Sequence, residues 1–126
     1  MQFVGEINEQ EKAAFLGQAT ALLFPIDWPE PFGLVMIEAL ACGVPVVAFR
    51  RGSVPEVIDD GVTGFIVDSV EDAIEATRTV HELDRRTCRE VFEQRFNSTR
   101  MARDHVTLYE DLVERLASGR ALTGVA

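Results

Sequence analysis

The stretch from Trp28 to Gly43 limits the possible folds more than any other part of this chain of 126 residues. Near its start, Pro29 and Pro31 keep the backbone extended and out of a helix. After Gly33 the sequence contains only helix-compatible residues until Gly43, and a proline shortly afterwards prevents continuation. The pattern predicts a helix from Leu34 to Cys42, about ten residues and roughly 15 Å long.

The predicted helix is apolar on almost every side, and Glu38 is its one charged residue. A helix of this kind is expected to be buried within a larger body. A carboxylate in such surroundings is unfavourable unless something donates a hydrogen bond to it. Two interpretations follow. Glu38 either reaches solvent through a gap, or it lies mostly buried and points into a cleft beside Gly33.

The start of this helix is a candidate anion site. The N–H groups around Gly33, Leu34 and Val35 lack partners within the helix, and the helix dipole adds partial positive charge there. Glu30 lies just outside this end, and Glu38 lies one to two turns inside it. A ligand with a phosphate flanked by hydroxyl groups would meet both carboxylates as hydrogen-bond acceptors. A nucleotide-sugar has this layout.

Three segments follow one another between Phe24 and Val67: EPFGLVMIE, EALACGVPVVA and GSVPEVIDDGVTGFIV. In this order they resemble the signature of the retaining glycosyltransferases with a GT-B fold, in the glycogen-synthase-like group called group 1. The resemblance implies that Glu38 binds the ribose hydroxyls of the nucleotide. It also implies that Glu30 contacts the donor sugar as the catalytic residue, while N–H groups from Gly33 to Val35 hold the phosphate.

The neighbouring aromatic residues, Trp28 and Phe32, flank the signature. Phe32 belongs to the implied substrate-binding set, and the simplest interpretation of both rings is packing that fixes the loop. Arg50 and Arg51 are interpreted as a solvated loop pair, with contact to a phosphate or acceptor as the alternative.

The implied reaction transfers a sugar from a UDP-, GDP- or ADP-sugar to an acceptor with retention of anomeric configuration, and no cofactor or metal is expected. Two alternatives stay open. The chain could be a nucleotide-sugar-binding module without catalysis, or a structural α/β domain whose site is vestigial. Nucleotide-sugar epimerases share the fold, but the Glu30–Glu38 signature argues against that class.

The resemblance implies an α/β fold with a Rossmann-like, doubly wound parallel sheet of strand order 3-2-1-4-5-6. Residues 1–126 would form the later part of the C-terminal donor-binding domain, an incomplete half of the GT-B fold. The acceptor-binding N-terminal domain is expected to be missing, together with an Arg/Lys pair that binds the diphosphate. We therefore expect the isolated chain, as a fragment, to be inactive.

The order of elements can also be predicted. Strands are expected at Phe3-Val4, Ala21 to Phe24, Val44 to Phe49 and Phe65 to Val67. Helices are expected at Glu9 to Gln18 (capped by Asn8, with Ala13, Ala14 and Leu16 to Gly17 facing inward), Glu56 to Ile58, Val70 to Val80 (capped by Ser69) and Asp84 to Gln94. A last helix is expected to begin with Ser98 as its cap. The last helix has an apolar stripe, and residues 118–126 are expected to be frayed. The strand at Ala21 to Phe24 should present an open edge, so we expect self-association, most simply as a homodimer.

The acidic charge restricts the possible partners. The net charge is −9, and residues 1–80 contain thirteen acidic but only four basic residues. This balance disfavours nucleic acid and anionic membranes as partners, and it also disfavours a diphosphate.

The sequence also indicates a compartment. No apolar run approaches the ~20 residues of a membrane span, and the first residues do not resemble a signal peptide. Cys42 and Cys88 match no metal or redox spacing and are interpreted as free thiols in a reducing compartment. The expected location is the cytoplasm, with attachment to the inner membrane face through the missing domain as a further option.

Overall fold

A computed structural model describes residues 2–118 of the chain. The chain divides into two compact units, Met1–Glu93 and Gln94–Ala126. The first unit contains all three strands and the candidate site. The frayed segment predicted at 118–126 lies, beyond Ser118, outside the described residues.

The first unit is built on a parallel sheet of three strands in chain order. They are β1 (Leu22–Phe24), β2 (Val46–Phe49) and β3 (Gly64–Val67). Leu23 pairs with Val47, which in turn pairs with Phe65. The central strand buries consecutive residues, as expected of a parallel strand covered on both faces. Three of the four predicted strands, their parallel pairing and the α/β fold class are therefore confirmed.

One helix precedes the strands, two connect them, and the others follow the last strand. The helices are α1 (Glu9–Gly17), α2 (Leu34–Ala41), α3 (Val54–Val57), α4 (Val70–Thr79), α5 (Arg85–Arg95) and α6 (Ser98–Ala117), with a short 3-10 turn at Val80–Glu82. Asn8 and Ser69 cap α1 and α4 through their side-chain oxygens, as predicted. The cap of α6 was predicted wrongly. It is Asn97, whose Oδ1 accepts a hydrogen bond from the Arg100 N–H at 2.8 Å, and Ser98 is already helical.

The core lies where α2 and α4 contact the sheet. On α2 the buried residues are Met36, Ala39 and Leu40. Next to α4, Val47 and Val67 of the sheet pack with Ala76 and Val80. These contacts leave the first turn of α2 at the surface, and this turn carries the candidate site.

Two expectations, one about strand formation and one about burial, are wrong. Phe3-Val4 is not a strand, and Phe3 is 93% exposed. Gly5, at φ +80°, turns the backbone away from an extended course directly after it. Ala13 and Ala14 are exposed, whereas Leu16 is buried and Gly17 is half-buried.

Helix α2 is also not buried on all sides. Leu34 is 64% exposed, while Val35 and Ile37 are half-buried. A helix that is apolar on all sides is fully buried only if other elements cover each side. In the described residues, burial is confined to the side of Met36, Ala39 and Leu40.

Strand β1 ends the sheet, since β2 is its one neighbour within the described residues. Leu23 on this strand is 57% exposed and borders an apolar hollow of about 280 Å³ that Phe49 and Ile74 also line. The open edge expected from the sequence is therefore present. The self-association predicted from it stays a prediction.

The second unit contains α6, which has the apolar stripe that the sequence predicts. The predicted members are Met101, Leu108, Tyr109, Leu112, Val113 and Leu116; Leu112 is half-buried, and the others are exposed. Between residues 2 and 118, no helix combines the length and apolar character that crossing a membrane requires. In the first unit, Cys42 and Cys88 form no disulfide.

Candidate functional site

The start of α2 is shaped by Gly33. This residue is the N-cap, and its φ of +74° is a left-handed conformation that residues with a Cβ rarely adopt. The N–H groups of Leu34 and Val35 follow in the first turn, and no acceptor in residues 2–118 receives a hydrogen bond from them. Two backbone donors are thus available at a half-exposed helix end.

Glu30 lies directly at this helix end. Its Oε1 accepts a hydrogen bond from the Gly33 N–H at 3.2 Å, and its Oε2 accepts one from Trp28 Nε1 at 3.2 Å. Because the carboxylate already occupies the Gly33 donor, Leu34 and Val35 are left as donors for a ligand. The sequence predicted all three N–H groups as the anion site.

A second loop holds the backbone around Glu30 in place. We call Arg51-Gly52-Ser53 the supporting turn. Ser53, which is almost buried, donates its N–H to the carbonyl of Glu30 at 2.9 Å and its Oγ–H to the carbonyl of Phe32 at 2.8 Å. Arg51 Nε contacts Asp27 Oδ1 at 2.9 Å. The supporting turn therefore fixes the signature loop through its backbone.

Gly52 makes the closest approach in the supporting turn. Its φ is +49°, and a Cβ added there would lie 2.2 Å from the carbonyl oxygen of Glu30. Real Cβ atoms do not come so close to a backbone oxygen, so a larger residue would displace one of the two loops. The glycine is required for the approach of Ser53 to Glu30.

Glu38 lies in the second turn of α2 and is partly buried. Its side chain is 35% exposed, and its Oε1 accepts a hydrogen bond from Lys12 Nζ at 3.0 Å. The greater part of the side chain is thus covered, as expected, and α1 provides a cation that satisfies the carboxylate. Lys12 also donates to Glu9 at 2.6 Å. The pKa of Lys12 is raised, first by the hydrogen bond with Glu9 and second by that with Glu38.

The aromatic rings beside the signature do not fix the loop by packing. Trp28 and Phe32 are both substantially exposed, and Trp28 acts through its indole N–H on Glu30. The loop is instead held by the polar contacts of the supporting turn. Arg50 and Arg51 lie in exposed ion pairs, with Asp68 at 3.3 Å and Asp27 at 2.9 Å, which agrees with the interpretation of a solvated pair.

The structure brings only part of the predicted set together. Glu30 and Gly33 are hydrogen-bonded, and Leu34 and Val35 follow directly. Glu38 is satisfied separately, from α1. Sequence reasoning did not find Lys12, Gly52 or Ser53. The Gly-Ser pair at the start of GSVPEVIDDGVTGFIV was visible as a turn, but no local pattern indicates that it contacts Glu30.

Basic groups near the site are already paired with carboxylates. Within residues 2–80, Lys12, Arg50 and Arg51 contact acidic side chains as described above, and Arg78 pairs with Glu75 at 3.2 Å. The described residues contain no cluster of three or more metal-type ligands. Backbone N–H groups are thus the donors that this stretch offers to an anion.

Comparison with known proteins gives matches over most of the chain. Residues 1–95 match a family model described as glycosyl transferases group 1. An uncharacterized 41.2 kDa protein in the cps region of Klebsiella pneumoniae is 36% identical over 86% of this chain and 32% of its own length. N-acetyl-alpha-D-glucosaminyl L-malate synthase of Bacillus anthracis is 30% identical over 95% of this chain and 36% of its own length.

A solved structure is also similar. The crystal structure of Anabaena HepE in complex with UDP superposes with a TM-score of 0.59 at 27% identity, covering 82% of this chain and 29% of that chain. The chain spans about a third of the length of the curated relatives described above.

Proposed function

The chain belongs to the group 1 glycosyl transferases, and from that premise we propose that it is the later part of a C-terminal donor-binding domain of a retaining enzyme. The enzyme would transfer a sugar from a nucleotide-sugar to an acceptor. Two observations support this assignment. The chain corresponds to about a third of its relatives' length, and its three parallel strands follow in chain order, as strands four to six of a doubly wound sheet do.

One observation carries the proposal: the N–H groups of Leu34 and Val35 lie between Glu30 and Glu38 without an acceptor in the described residues. A helix start with available donors favours a phosphate. In the proposal, the phosphate of the donor binds at Leu34 and Val35. The UDP bound in the similar Anabaena structure makes a nucleoside diphosphate the first ligand to test.

Glu38 is proposed to bind the ribose. Its Oε1 is held by Lys12, and no donor among residues 2–118 contacts its Oε2. A carboxylate oxygen accepts hydrogen bonds from hydroxyl groups, and a ribose presents two adjacent ones. Glu38 lies about 6 Å along the helix from Leu34, since each residue adds 1.5 Å. That spacing suits a ribose next to a phosphate.

Glu30 is proposed to contact the donor sugar and to act in catalysis, with Phe32 beside it in the substrate-binding loop. Its present hydrogen bonds, both 3.2 Å, are at the long end of the normal range. A phosphate could therefore replace Glu30 at the Gly33 N–H with a small loss. Positive charge that develops on the sugar in the transition state would be stabilised by the nearby carboxylate.

The paired basic groups imply that this stretch binds a diphosphate weakly. With each base of residues 2–80 in an ion pair, the second phosphate needs cations from elsewhere. The family resemblance places an Arg/Lys pair in the part of the domain that precedes this segment. We therefore propose that the isolated chain binds nucleotide without catalysing transfer. A cytoplasmic location is proposed as well, supported by the two unpaired cysteines.

Calorimetric titration with UDP, GDP and ADP tests this proposal. We expect saturable binding of at least one nucleotide, and loss of that binding in Glu38→Ala. Glu75→Ala is the matched control, because Glu75 is also an ion-paired glutamate on a helix of the same unit. If none of the three nucleotides binds, the alternative of a vestigial site is correct and the proposed donor site fails.

A further inference from the structure

Lys12 connects the two helices on which the site depends. It lies on α1 and contacts two carboxylates, Glu9 Oε1 at 2.6 Å on its own helix and Glu38 Oε1 at 3.0 Å on α2. Both helices pack against each other. The Lys12 side chain is only 28% exposed, which is low for a lysine.

The double contact fixes the position of the ammonium group. A lysine side chain alone has many rotamers, and ordering it is unfavourable in entropy. Glu9, three residues earlier in α1, holds the ammonium at the point where α1 faces α2. Glu38 thus meets a donor that is already in place.

The contact with Lys12 limits the orientations that the Glu38 carboxylate can adopt. A glutamate side chain that extends from a helix into solvent samples several orientations. Here Oε1 is bound to Lys12, whereas Oε2 has no donor among the described residues. Rotation of the carboxylate about its last bond would break the contact with Lys12. One oxygen is therefore presented in one orientation.

We propose that Lys12 is a positioning residue of the nucleotide site, which orients Glu38 so that Oε2 accepts a hydrogen bond from a ribose hydroxyl. This inference rests on the proposed ribose role of Glu38. Lys12 itself does not contact the ligand. An ion pair that solvent still reaches adds little to folding stability, so its loss should appear in ligand discrimination and leave the fold intact.

The test compares ribose with deoxyribose ligands. The probes are the best-binding nucleotide of UDP, GDP and ADP, and its 2′-deoxy and 3′-deoxy analogues. The variants are Lys12→Met, Lys12→Arg, Glu38→Ala and Arg78→Met. Arg78→Met removes one positive charge from another exposed pair of the same unit and is the matched control. Thermal unfolding of each variant is measured in parallel.

In the native chain, we expect the ribonucleotide to bind more tightly than one or both deoxy analogues. Lys12→Met should weaken ribonucleotide binding roughly tenfold, as for one impaired hydrogen bond to a charged group, and leave binding of the discriminated analogue unchanged. Lys12→Arg should recover most of the discrimination. Arg78→Met should behave as the native chain. The melting temperature of Lys12→Met should stay close to the native value.

The two possible failures can be told apart. If Glu38→Ala keeps the native preference for ribose, or if no nucleotide binds, the proposed function fails. If Glu38→Ala loses the preference while Lys12→Met keeps it, the ribose site stands and the positioning role of Lys12 is overturned. Equal weakening of all ligands by Lys12→Met would also overturn it, because that result indicates a direct phosphate contact or a general structural effect.

Discussion

The two glutamates of the signature lie in differently supported surroundings. Around Glu30, the backbone itself is fixed, through two hydrogen bonds from Ser53 and the close approach of Gly52. Around Glu38, the backbone is ordinary helix, and a single lysine side chain from α1 holds the carboxylate. One carboxylate is positioned by its loop and the other by an ion pair.

The loop around Glu30 and the side-chain contact of Glu38 should therefore respond differently to substitutions. A loop held by its backbone cannot adjust without moving the supporting turn, so small changes there should have large effects on both folding and the site. A side chain held by an ion pair that solvent still reaches contributes little to stability. Changes at Glu38 or Lys12 should therefore affect the ligand more than the fold.

The largest effect on stability is expected for Gly52→Ala. A left-handed conformation disfavours alanine by roughly 1–2 kcal/mol, and forcing the Cβ against Glu30 adds about 1–3 kcal/mol of overpacking. We expect a loss of roughly 2–5 kcal/mol in the free energy of unfolding. Chemical denaturation measures it. Gly61→Ala is the control, since Gly61 has a similar φ of +75° but open space around its Cβ position. Equal losses in both variants would mean that the contact with Glu30 has no role.

The next effect concerns the full-length enzyme that carries this segment. Glu30→Ala should lower kcat roughly a hundredfold and raise the KM for the donor less, because its carboxylate acts mainly in the transition state. Glu38→Ala should act mainly on donor binding. If Glu30→Ala instead raises mainly the KM for the donor and Glu38→Ala lowers mainly kcat, both assigned roles are wrong.

A smaller loss is expected for Ser53→Ala. Its hydroxyl donates to the carbonyl of Phe32 in a nearly buried position, and an unpaired carbonyl there is unfavourable by about 1–3 kcal/mol. Ser118→Ala removes a hydroxyl that donates to an exposed carbonyl, that of Arg115, and should change stability by less than about 0.5 kcal/mol. Denaturation of both variants checks the ranking. A neutral Ser53→Ala would show that the loop does not depend on this contact.

The smallest effect is the pH dependence of the Lys12 ion pair. The pKa of Lys12 is raised above its ordinary value of 10.5 by the hydrogen bonds with Glu9 and Glu38. Any stability from the raised pKa is fully present below that value and is lost as the pH rises through the folded-state pKa. The small stability difference between the native chain and Lys12→Met should thus disappear at strongly alkaline pH. A difference that grows there instead would contradict the ion pair.

The sequence predicted the parts of the fold that local patterns determine. Caps at Asn8 and Ser69, the stop at Gly43 and the apolar runs of the strands each act over a few residues, and their predictions are confirmed. Phe3-Val4 was different, since a strand depends on a neighbour. No described residue pairs with it, and it stays exposed.

The sequence predicted the backbone geometry at the start of α2 better than the contacts that hold its two glutamates, and the binding roles of these residues stay predictions. The spacing of Glu30 and Glu38 and the start at Gly33 could be taken from the sequence. The contacts of Lys12 and Ser53 could not, because they join residues 26 and 21 positions apart whose proximity depends on helix packing and on the course of a loop.

The central claim is that a nucleoside diphosphate binds at the start of α2. An amide NMR titration of the chain with UDP, GDP and ADP tests it most directly. For a nucleotide that binds, we expect the largest chemical-shift changes at the Leu34 and Val35 amides, and smaller changes at the same nucleotide concentration in Glu38→Ala. If binding is saturable but shifts the amide signals of other residues and not of these two, the nucleotide binds elsewhere and the claim is wrong.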